Sequence, residues 1–262
     1  MFPFTRLLDL LCPPVCTFCG TSLEQAEPFC TKCTESLVTP EGKFCLRCGG
    51  RRFQRTWDTE LKTDACKRCR TTDFRFRRAV ALGEYERELR SAVLRMKTDR
   101  TGLLVRSAAE LLWRYRETEL REAMVDFIVP IPMHRSRRFS RGVNAPDLLA
   151  EELARKLKIP IFQRLVRRHR ATDLQYMLSA RDRQTNVDGA FVLGKSNDKI
   201  GKRFGIEGKN ALLVDDILTT GATCNEVAKL LRRTGVRDVT VCILARAEGI
   251  YDDFHAQRGE KR

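Results

Sequence analysis

Residues Ala211-Leu-Leu-Val-Asp-Asp-Ile-Leu-Thr-Thr-Gly-Ala-Thr223 set the architecture of this chain. The apolar run Ala211 to Val214 has the composition of a central parallel strand buried on both faces. Val227, Ala228, Leu230 and Leu231 then give the next segment a helical apolar stripe. Between strand and helix stand Asp215, Asp216, Thr219, Thr220, Gly221, Ala222 and Thr223. At the carboxyl end of a parallel strand, the N–H groups of a tight turn and of a helix N-terminus point outward with partial positive charge, a setting suited to phosphate. Gly221 allows close backbone approach, and threonine hydroxyls add donors. The two carboxylates can accept hydrogen bonds from vicinal hydroxyls, so one segment addresses both ends of a ribose 5-phosphate.

This stretch resembles the 5-phosphoribosyl-1-pyrophosphate (PRPP) motif of type I phosphoribosyltransferases, in which two acidic residues end an apolar strand and Thr-Thr-Gly-x-Thr follows. The Gly-x-x-x-x-Gly-Lys-[Ser/Thr] pattern of a nucleotide P-loop and the glycine triplet of a dinucleotide site are both missing. A strand end with a hydrated Asp-Asp turn and a helix capped by Thr219 or Thr220 is the plain structural alternative. It explains neither the second carboxylate nor the Thr-Thr-Gly-Ala-Thr order.

The 262 residues have room for one ordinary core domain and a small accessory unit. The apolar share of 42% is compatible with a real core, and 49 Lys and Arg against 34 Asp and Glu leave a net charge of +15. That balance suits polyanionic partners, whether nucleic acid or pyrophosphorylated substrates. No stretch of eighteen apolar residues occurs, so no membrane span is expected. The opening Met1-Phe-Pro-Phe-Thr-Arg-Leu-Leu-Asp-Leu-Leu lacks a secretory cleavage site and reads as a short amphipathic helix. A cytoplasmic location follows as an expectation. Nothing in the sequence specifies an oligomeric state.

Nine of the eleven cysteines precede residue 70, and eight form Cys-x-x-Cys pairs: Cys16/Cys19, Cys30/Cys33, Cys45/Cys48 and Cys66/Cys69. Two thiolates at that spacing grip one metal ion from a tight turn, and a second pair completes a tetrahedron. Gly20 and Gly49 directly follow the first and third pairs, as a knuckle turn requires. The simplest pairing is sequential, with Cys16, Cys19, Cys30 and Cys33 on one zinc and Cys45, Cys48, Cys66 and Cys69 on another. An interleaved cross-brace is the alternative that the spacing leaves open. A reducing compartment disfavours disulfides, whereas iron–sulfur ligation uses the same four thiolates; zinc is the favoured reading. So small a unit, with few large aliphatics, needs the metals for folding free energy. Cys12, Cys224 and Cys242 read as packed thiols.

The segment from Arg47 to Arg78 interleaves many Arg and Lys residues with Phe53, Trp57, Phe74 and Phe76. Two readings stand side by side: a surface that tracks a nucleic-acid backbone and stacks on bases, or a solvated basic surface with its aromatics packed around metal. From Ala79 the grammar changes. Ala79 to Tyr85 reads as a strand, with Leu89, Val93 and Met96 a helical stripe after it. Leu104, Ala108, Leu111 and Tyr115 give another helix. Further strands are expected over Val125 to Ile131, near Ala190 to Leu193, at the motif and over Asp238 to Ala245, with a helix over Ala145 to Leu157. Lys195 to Asn210 reads as an exposed hairpin loop. Repeated βα units imply an α/β fold, a mainly parallel sheet flanked by helices. The expected organisation is a Cys-rich zinc-ribbon domain over 1–78, a phosphoribosyltransferase-like domain over 79–248 and a hydrophilic tail over 249–262.

Three further segments narrow the resemblance. Val129-Pro-Ile-Pro-Met-His-Arg-Ser-Arg-Arg-Phe-Ser-Arg-Gly-Val-Asn144 resembles the strand and basic loop of the ComF family, with Val143 where Phe is usual. Arg170-Ala-Thr-Asp-Leu-Gln-Tyr-Met-Leu-Ser-Ala-Arg-Asp-Arg-Gln-Thr-Asn186, with Phe191 beyond, is similar to that family's second signature, without the usual proline after Thr172. Tyr85, Leu89 and Lys97 fit its approach to the first helix. The resemblance implies a phosphoribosyltransferase fold behind a double zinc ribbon and a role in natural competence, with single-stranded DNA and a DNA-uptake helicase as partners. It also implies PRPP as substrate or ligand, with Asp215 and Asp216 on the ribose hydroxyls and Thr219 to Thr223 on the 5-phosphate. Magnesium, suited to hard oxygens, would bridge ribose hydroxyls and pyrophosphate. Arg137, Arg138 and Arg141 are the candidates to neutralise departing pyrophosphate, with Arg183 and Lys97 in the same role behind them. No residue stands out as a general base; His134 and His169 are the histidines near the expected loops. The two functional readings are a phosphoribosyltransferase of unspecified acceptor base, and a non-catalytic PRPP-fold module that engages single-stranded DNA or a helicase through its ribbon.

Overall fold

The computed structural model describes residues 13–40, 44–51, 66, 69, 72–133, 144–170, 187–194 and 204–247. Among these residues the motif strand is β5, Asn210–Leu218, and its helix is α5, Ala222–Arg233. Strand β5 lies between β6, Asp238–Arg246, and β2, Phe127–Pro130, and β1, Arg78–Glu84, closes the order β1-β6-β5-β2. All three pairings are parallel. The carboxyl ends of the four strands therefore share one edge of the sheet, where the turn after β5 emerges.

Side chains alternate across a strand, and here the alternation sorts the core into two clusters. Val80, Leu82, Leu212, Val214, Cys242 and Leu244 face one side, covered by helices α2, Arg87–Met96, α3, Leu103–Glu122, and α4, Ala145–Leu157. Ala79, Ala81, Ala211, Leu213, Val241 and Ile243 face the other, covered by α5. Strands β5 and β6 read as near-continuous apolar runs because both of their faces are buried. The expected stripe on α2 is the buried one, with Leu89, Val93 and Met96 joined by Ala92.

The cysteine-bearing segment supplies residues to both faces. Cys16, Phe29, Cys33 and Leu37, the last two on the short helix α1, Thr31–Leu37, enter the first cluster. Cys45, Cys48, Phe74 and Phe76 enter the second. Between them the chain covers the open edge of β1: Thr39 N–H donates to Leu82 O at 3.0 Å and Ala79 N–H to Leu46 O at 3.0 Å. An edge strand with free donors and acceptors invites pairing with other chains, and this covering removes the invitation. Arg116, fully buried at a non-helical position inside α3 (φ −135°), fastens the same edge. Its guanidinium donates to Ala81 O at 2.8 Å, Leu82 O at 3.2 Å and Thr39 O, and lies 4.4 Å from the centroid of Phe44.

Two expectations need correction. The strand near Ala190 is β4, Phe191–Leu193, and it does not join the parallel sheet; it pairs antiparallel with β3, Val166–Arg168, which the sequence reading passed over. Each has only three residues, too few to show a period, and β3 is Val followed by two arginines. The polar stretch ending at Asn210 is exposed only in part over its described residues, 204–210: Gly205, Glu207 and Gly208 are exposed, and the others are not. Ile206 is buried, Phe204 packs edge-on against Phe127 and Phe162, and Asn210 already pairs in β5. Lys209 contributes polarity to the sequence while its ammonium lies 3.6 Å from the Phe204 centroid. The tail over 249–262 lies outside the described residues. Among the described residues no helix is long and apolar enough to cross a membrane.

Candidate functional site

The turn between β5 and α5 is built by three local choices. Leu218 is the last buried strand residue, opposite Arg246 of β6. Gly221 then takes φ 84°, a left-handed conformation that glycine adopts without penalty, and α5 begins at Ala222. The Thr220 hydroxyl accepts from Ala222 N–H at 3.3 Å, a local turn bond; the N-cap is Gly221, without a side-chain capping bond, so neither Thr219 nor Thr220 caps the helix. Gly221 has a second requirement: a Cβ added there would lie 2.8 Å from Phe74 Cε1. The close approach made possible by this glycine includes the aromatic ring of the cysteine-rich segment.

The acidic pair leaves the strand in different directions. Asp215 accepts from Asp216 N–H at 2.9 Å, and its other oxygen lies 4.0 Å from the Cys224 thiol, which donates to it from α5. Asp216 accepts from Ile217 N–H at 2.8 Å. Desolvation raises the Asp215 carboxyl well above the ordinary carboxylate range; the neighbouring Asp216 charge raises it further, against an opposing pull from Arg168. Burial likewise raises the Tyr85 phenol, and the Asp216 charge adds to it. A carboxyl in this state gains from a cation or from hydroxyl donors, which favour its ionised form.

Two arginines that the sequence reading did not select adjoin the site. Arg246, fully buried, donates from Nη1 to Leu218 O at 2.8 Å, to Ala247 O at 2.6 Å and to Thr219 O, holding the turn from beneath. Arg168 lies across the Phe191 ring, 5.3 Å from its centroid. The available signal for Arg246 was a lone charge closing the apolar run Val241 to Ala245; for Arg168, between other basic residues, there was none. Lys97 follows α2 as its C-terminal cap, and no described hydrogen bond or ion pair joins it to the acidic pair. Arg137, Arg138, Arg141 and Arg183 lie outside the described residues, as does His134.

The eight paired cysteines form two clusters, Cys16, Cys19, Cys30 and Cys33, and Cys45, Cys48, Cys66 and Cys69, with all sulfurs of a cluster within 4.8 Å of one another. The pairing is sequential. A tetrahedral zinc with Zn–S bonds of about 2.3 Å places its sulfurs about 3.8 Å apart. The sulfurs of Cys19 and Cys30 are 3.8 Å apart, those of Cys45 and Cys69 3.9 Å, and those of Cys48 and Cys66 3.7 Å. The donor set and its spacing fit zinc. Thiols this close also titrate against one another: the hydrogen bond from Cys48 holds Cys45 down at about 4, the same bond pushes Cys48 up, and burial pushes Cys69 to about 12. A dication removes the conflict by keeping all four as thiolates.

The two knuckles repeat position for position. Gly20 N–H donates to Cys16 O at 2.8 Å and Gly49 N–H to Cys45 O at 2.7 Å, and both glycines have positive φ, 77° and 71°. Single bridges, Val15 with Ser22 and Phe44 with Arg51, close each turn. Of the four aromatics in the basic segment, Phe74 and Phe76 are buried and stacked, with centroids 4.6 Å apart, so their faces are not free for bases. Phe53 and Trp57 lie outside the described residues.

Comparison with known proteins agrees with both halves of this arrangement. A family described as "Double zinc ribbon domain" matches residues 7–70, and one described as "Phosphoribosyl transferase domain" matches residues 148–261. Competence protein F of Haemophilus influenzae is 32% identical over 240 residues, covering 88% of this chain and 96% of that protein. The DNA utilization protein YhgH of Escherichia coli K12 is 30% identical over 243 residues, covering 90% of this chain and 99% of the relative. Competence protein ComFC of Streptococcus pneumoniae is 25% identical over 240 residues, covering 88% and 99%. With paired cysteine clusters, a parallel sheet ending in Asp-Asp-Ile-Leu-Thr-Thr-Gly, and relatives alike along nearly their whole length, the chain belongs to the ComF family of competence proteins.

Proposed function

We propose that this chain binds PRPP and magnesium at the β5–α5 turn, transfers the phosphoribosyl group, and serves DNA uptake or utilisation. The observation that carries this reading is the conjunction of Asp215, Asp216, the Thr219 to Thr223 turn and the α5 N-terminus at the carboxyl edge of a parallel sheet. The turn amides and threonine hydroxyls take the 5-phosphate, and the carboxylates take the ribose hydroxyls. Transfer breaks the bond from ribose C1 to pyrophosphate, the electron pair leaving with pyrophosphate, while an acceptor nitrogen bonds to C1 and later loses its proton. The centre between is oxocarbenium-like, so positioning and charge stabilisation do most of the work. Asp215 and Asp216 are the residues that would hold magnesium through the ribose hydroxyls, and the ion would supply charge to the leaving oxygens. Arg137, Arg138 and Arg141, with Arg183 and Lys97, are the proposed cations for pyrophosphate. Arg246 keeps the turn in place through Leu218 O and Thr219 O. A reducing cytoplasm, which preserves thiolate ligands, goes with this reading.

The test is calorimetric titration of zinc-loaded protein with PRPP in magnesium, followed by assay of pyrophosphate release with a panel of bases. Binding that disappears in an Asp215→Asn, Asp216→Asn double variant supports the site. No heat from the parent protein removes the reading.

In a second reading the fold binds PRPP without turnover and the ribbon engages single-stranded DNA or a helicase; relatives named for competence and DNA utilization are compatible with it. Exposed Arg75 and Arg77 on the described ribbon surface, and the net charge of +15, support it. Salt-dependent binding of single-stranded DNA, together with no pyrophosphate release from any base, would favour this module over the enzyme.

A further inference from the structure

The second cysteine cluster is joined to the candidate phosphate turn by a short chain of contacts; among the described residues no such chain leads from the first. Arg47 sits inside the knuckle, between Cys45 and Cys48. Its guanidinium donates to Phe74 O at 2.7 Å, to Arg77 O at 3.0 Å and to Phe76 O. It also faces both rings, 5.6 Å from the Phe74 centroid and 5.7 Å from that of Phe76. Phe74 in turn packs on Gly221, close enough that no Cβ fits between them. One residue to its C-terminal side, Arg75 N–H donates to Asn225 Oδ1 at 2.5 Å, on the first turn of α5. Contacts thus run without a break from the knuckle through Arg47 and Phe74 to the left-handed residue of the turn.

At the matching place in the first knuckle stands Phe18, covered by Arg95 of α2 at 5.1 Å. The same type of contact there reaches a helix remote in sequence from the turn, and further side-chain bonds from the segment around the first cluster go to Ser107 and Arg114 of α3. The two knuckles thus make equivalent anchors with different destinations.

We propose that Arg47 and Phe74 are positioning residues for the phosphate turn, and that metal at Cys45, Cys48, Cys66 and Cys69 sets the affinity of Thr219 to Thr223 for a phosphorylated ligand. This rests on the PRPP reading for the identity of the ligand, but the coupling itself belongs to the ligand-free chain. A phosphate turn must be held to within a fraction of an ångström for its amides to converge, and this ring is part of what holds it.

The test uses the full chain with zinc bound. Phe74→Leu, Arg47→Met and the control Phe18→Leu are compared with the parent protein in zinc content, in PRPP calorimetry with magnesium, and in amide hydrogen exchange over 219–223 without ligand. In Phe74→Leu and Arg47→Met, PRPP affinity falls at least tenfold and the turn amides exchange at least tenfold faster, with zinc retained. Phe18→Leu leaves both readouts within twofold even where its Tm falls as far, and Phe74→Tyr, which keeps the ring, restores both. Exchange within twofold of the parent in Phe74→Leu, or equal acceleration in Phe18→Leu, overturns the proposal. A parent protein that gives no heat with PRPP refutes the proposed ligand alone, and amide exchange then decides the coupling.

Discussion

The two cysteine clusters have the same knuckle and opposite surroundings. The first packs on the face covered by α2 and α3, where Thr17 meets Ser107 at 3.0 Å and Arg114 meets Glu27 at 2.7 Å. The second packs on the other face, against β1 and the turn after β5. Ligation by four thiolates is local chemistry and comes out alike in both. What each cluster does for the molecule depends on what its knuckle touches: one braces helices, the other the candidate phosphate site.

The largest effects should come from the metals. Elemental analysis is expected to find two zinc per chain, one for each four-cysteine cluster. Cys33→Ala and Cys48→Ala, both at buried ligands, should each lose one zinc and several kcal/mol of stability. Only Cys48→Ala should also weaken PRPP binding in whatever fraction remains folded; equal loss of affinity in both would erase the distinction between the clusters.

Next comes Arg116, which ties the segment between the clusters to the β1 edge. Arg116→Met leaves the carbonyls of Ala81, Leu82 and Thr39 without this donor. Its cost should be about 2–4 kcal/mol, read as a fall in denaturation midpoint with both zinc ions kept.

Asp215→Asn separates function from stability on the second face. Because the folded carboxyl titrates well above its unfolded range, the parent protein must ionise a desolvated group as pH rises, and it loses stability from the unfolded Asp pKa up through the raised one. The variant should therefore lose PRPP binding yet be more stable than the parent, with a higher Tm, at pH values above that window, and no different below it. Ligand affinity of the parent should rise with pH over the same interval, since binding requires the ionised form. A variant that is less stable at high pH would contradict the assigned burial of this carboxyl.

The smallest effect is expected at the rim of the first cluster. Arg114 and Glu27 are both exposed, and Arg114→Ala should cost no more than about 0.5 kcal/mol, with zinc content and PRPP binding unchanged.

Much of this was legible before any coordinates. The runs 211–214 and 241–245 carry no polar residue, as suits a strand buried on both faces, and the period of Leu89, Val93 and Met96 can be read off directly. Cys-x-x-Cys spacing announces a knuckle because both ligands come from one turn. The three-residue strands β3 and β4 were not legible as a pair, since antiparallel pairing between segments so far apart leaves no local period. Arg246 and Arg116 looked like ordinary basic residues in a chain with many; their burial is a property of the carbonyls that surround them.

Local chemistry, written in residue types at short spacing, determined from sequence alone that this protein carries an Asp-Asp strand end, a Thr-Thr-Gly turn and four Cys-x-x-Cys pairs. Which pairs share a cluster, which face each cluster covers, and that Phe74 rests on Gly221 were decided by the tertiary structure. The physical reason is that those facts depend on contacts between residues far apart in the chain. Such contacts form only once the parallel sheet has created two faces for the ribbon to cover.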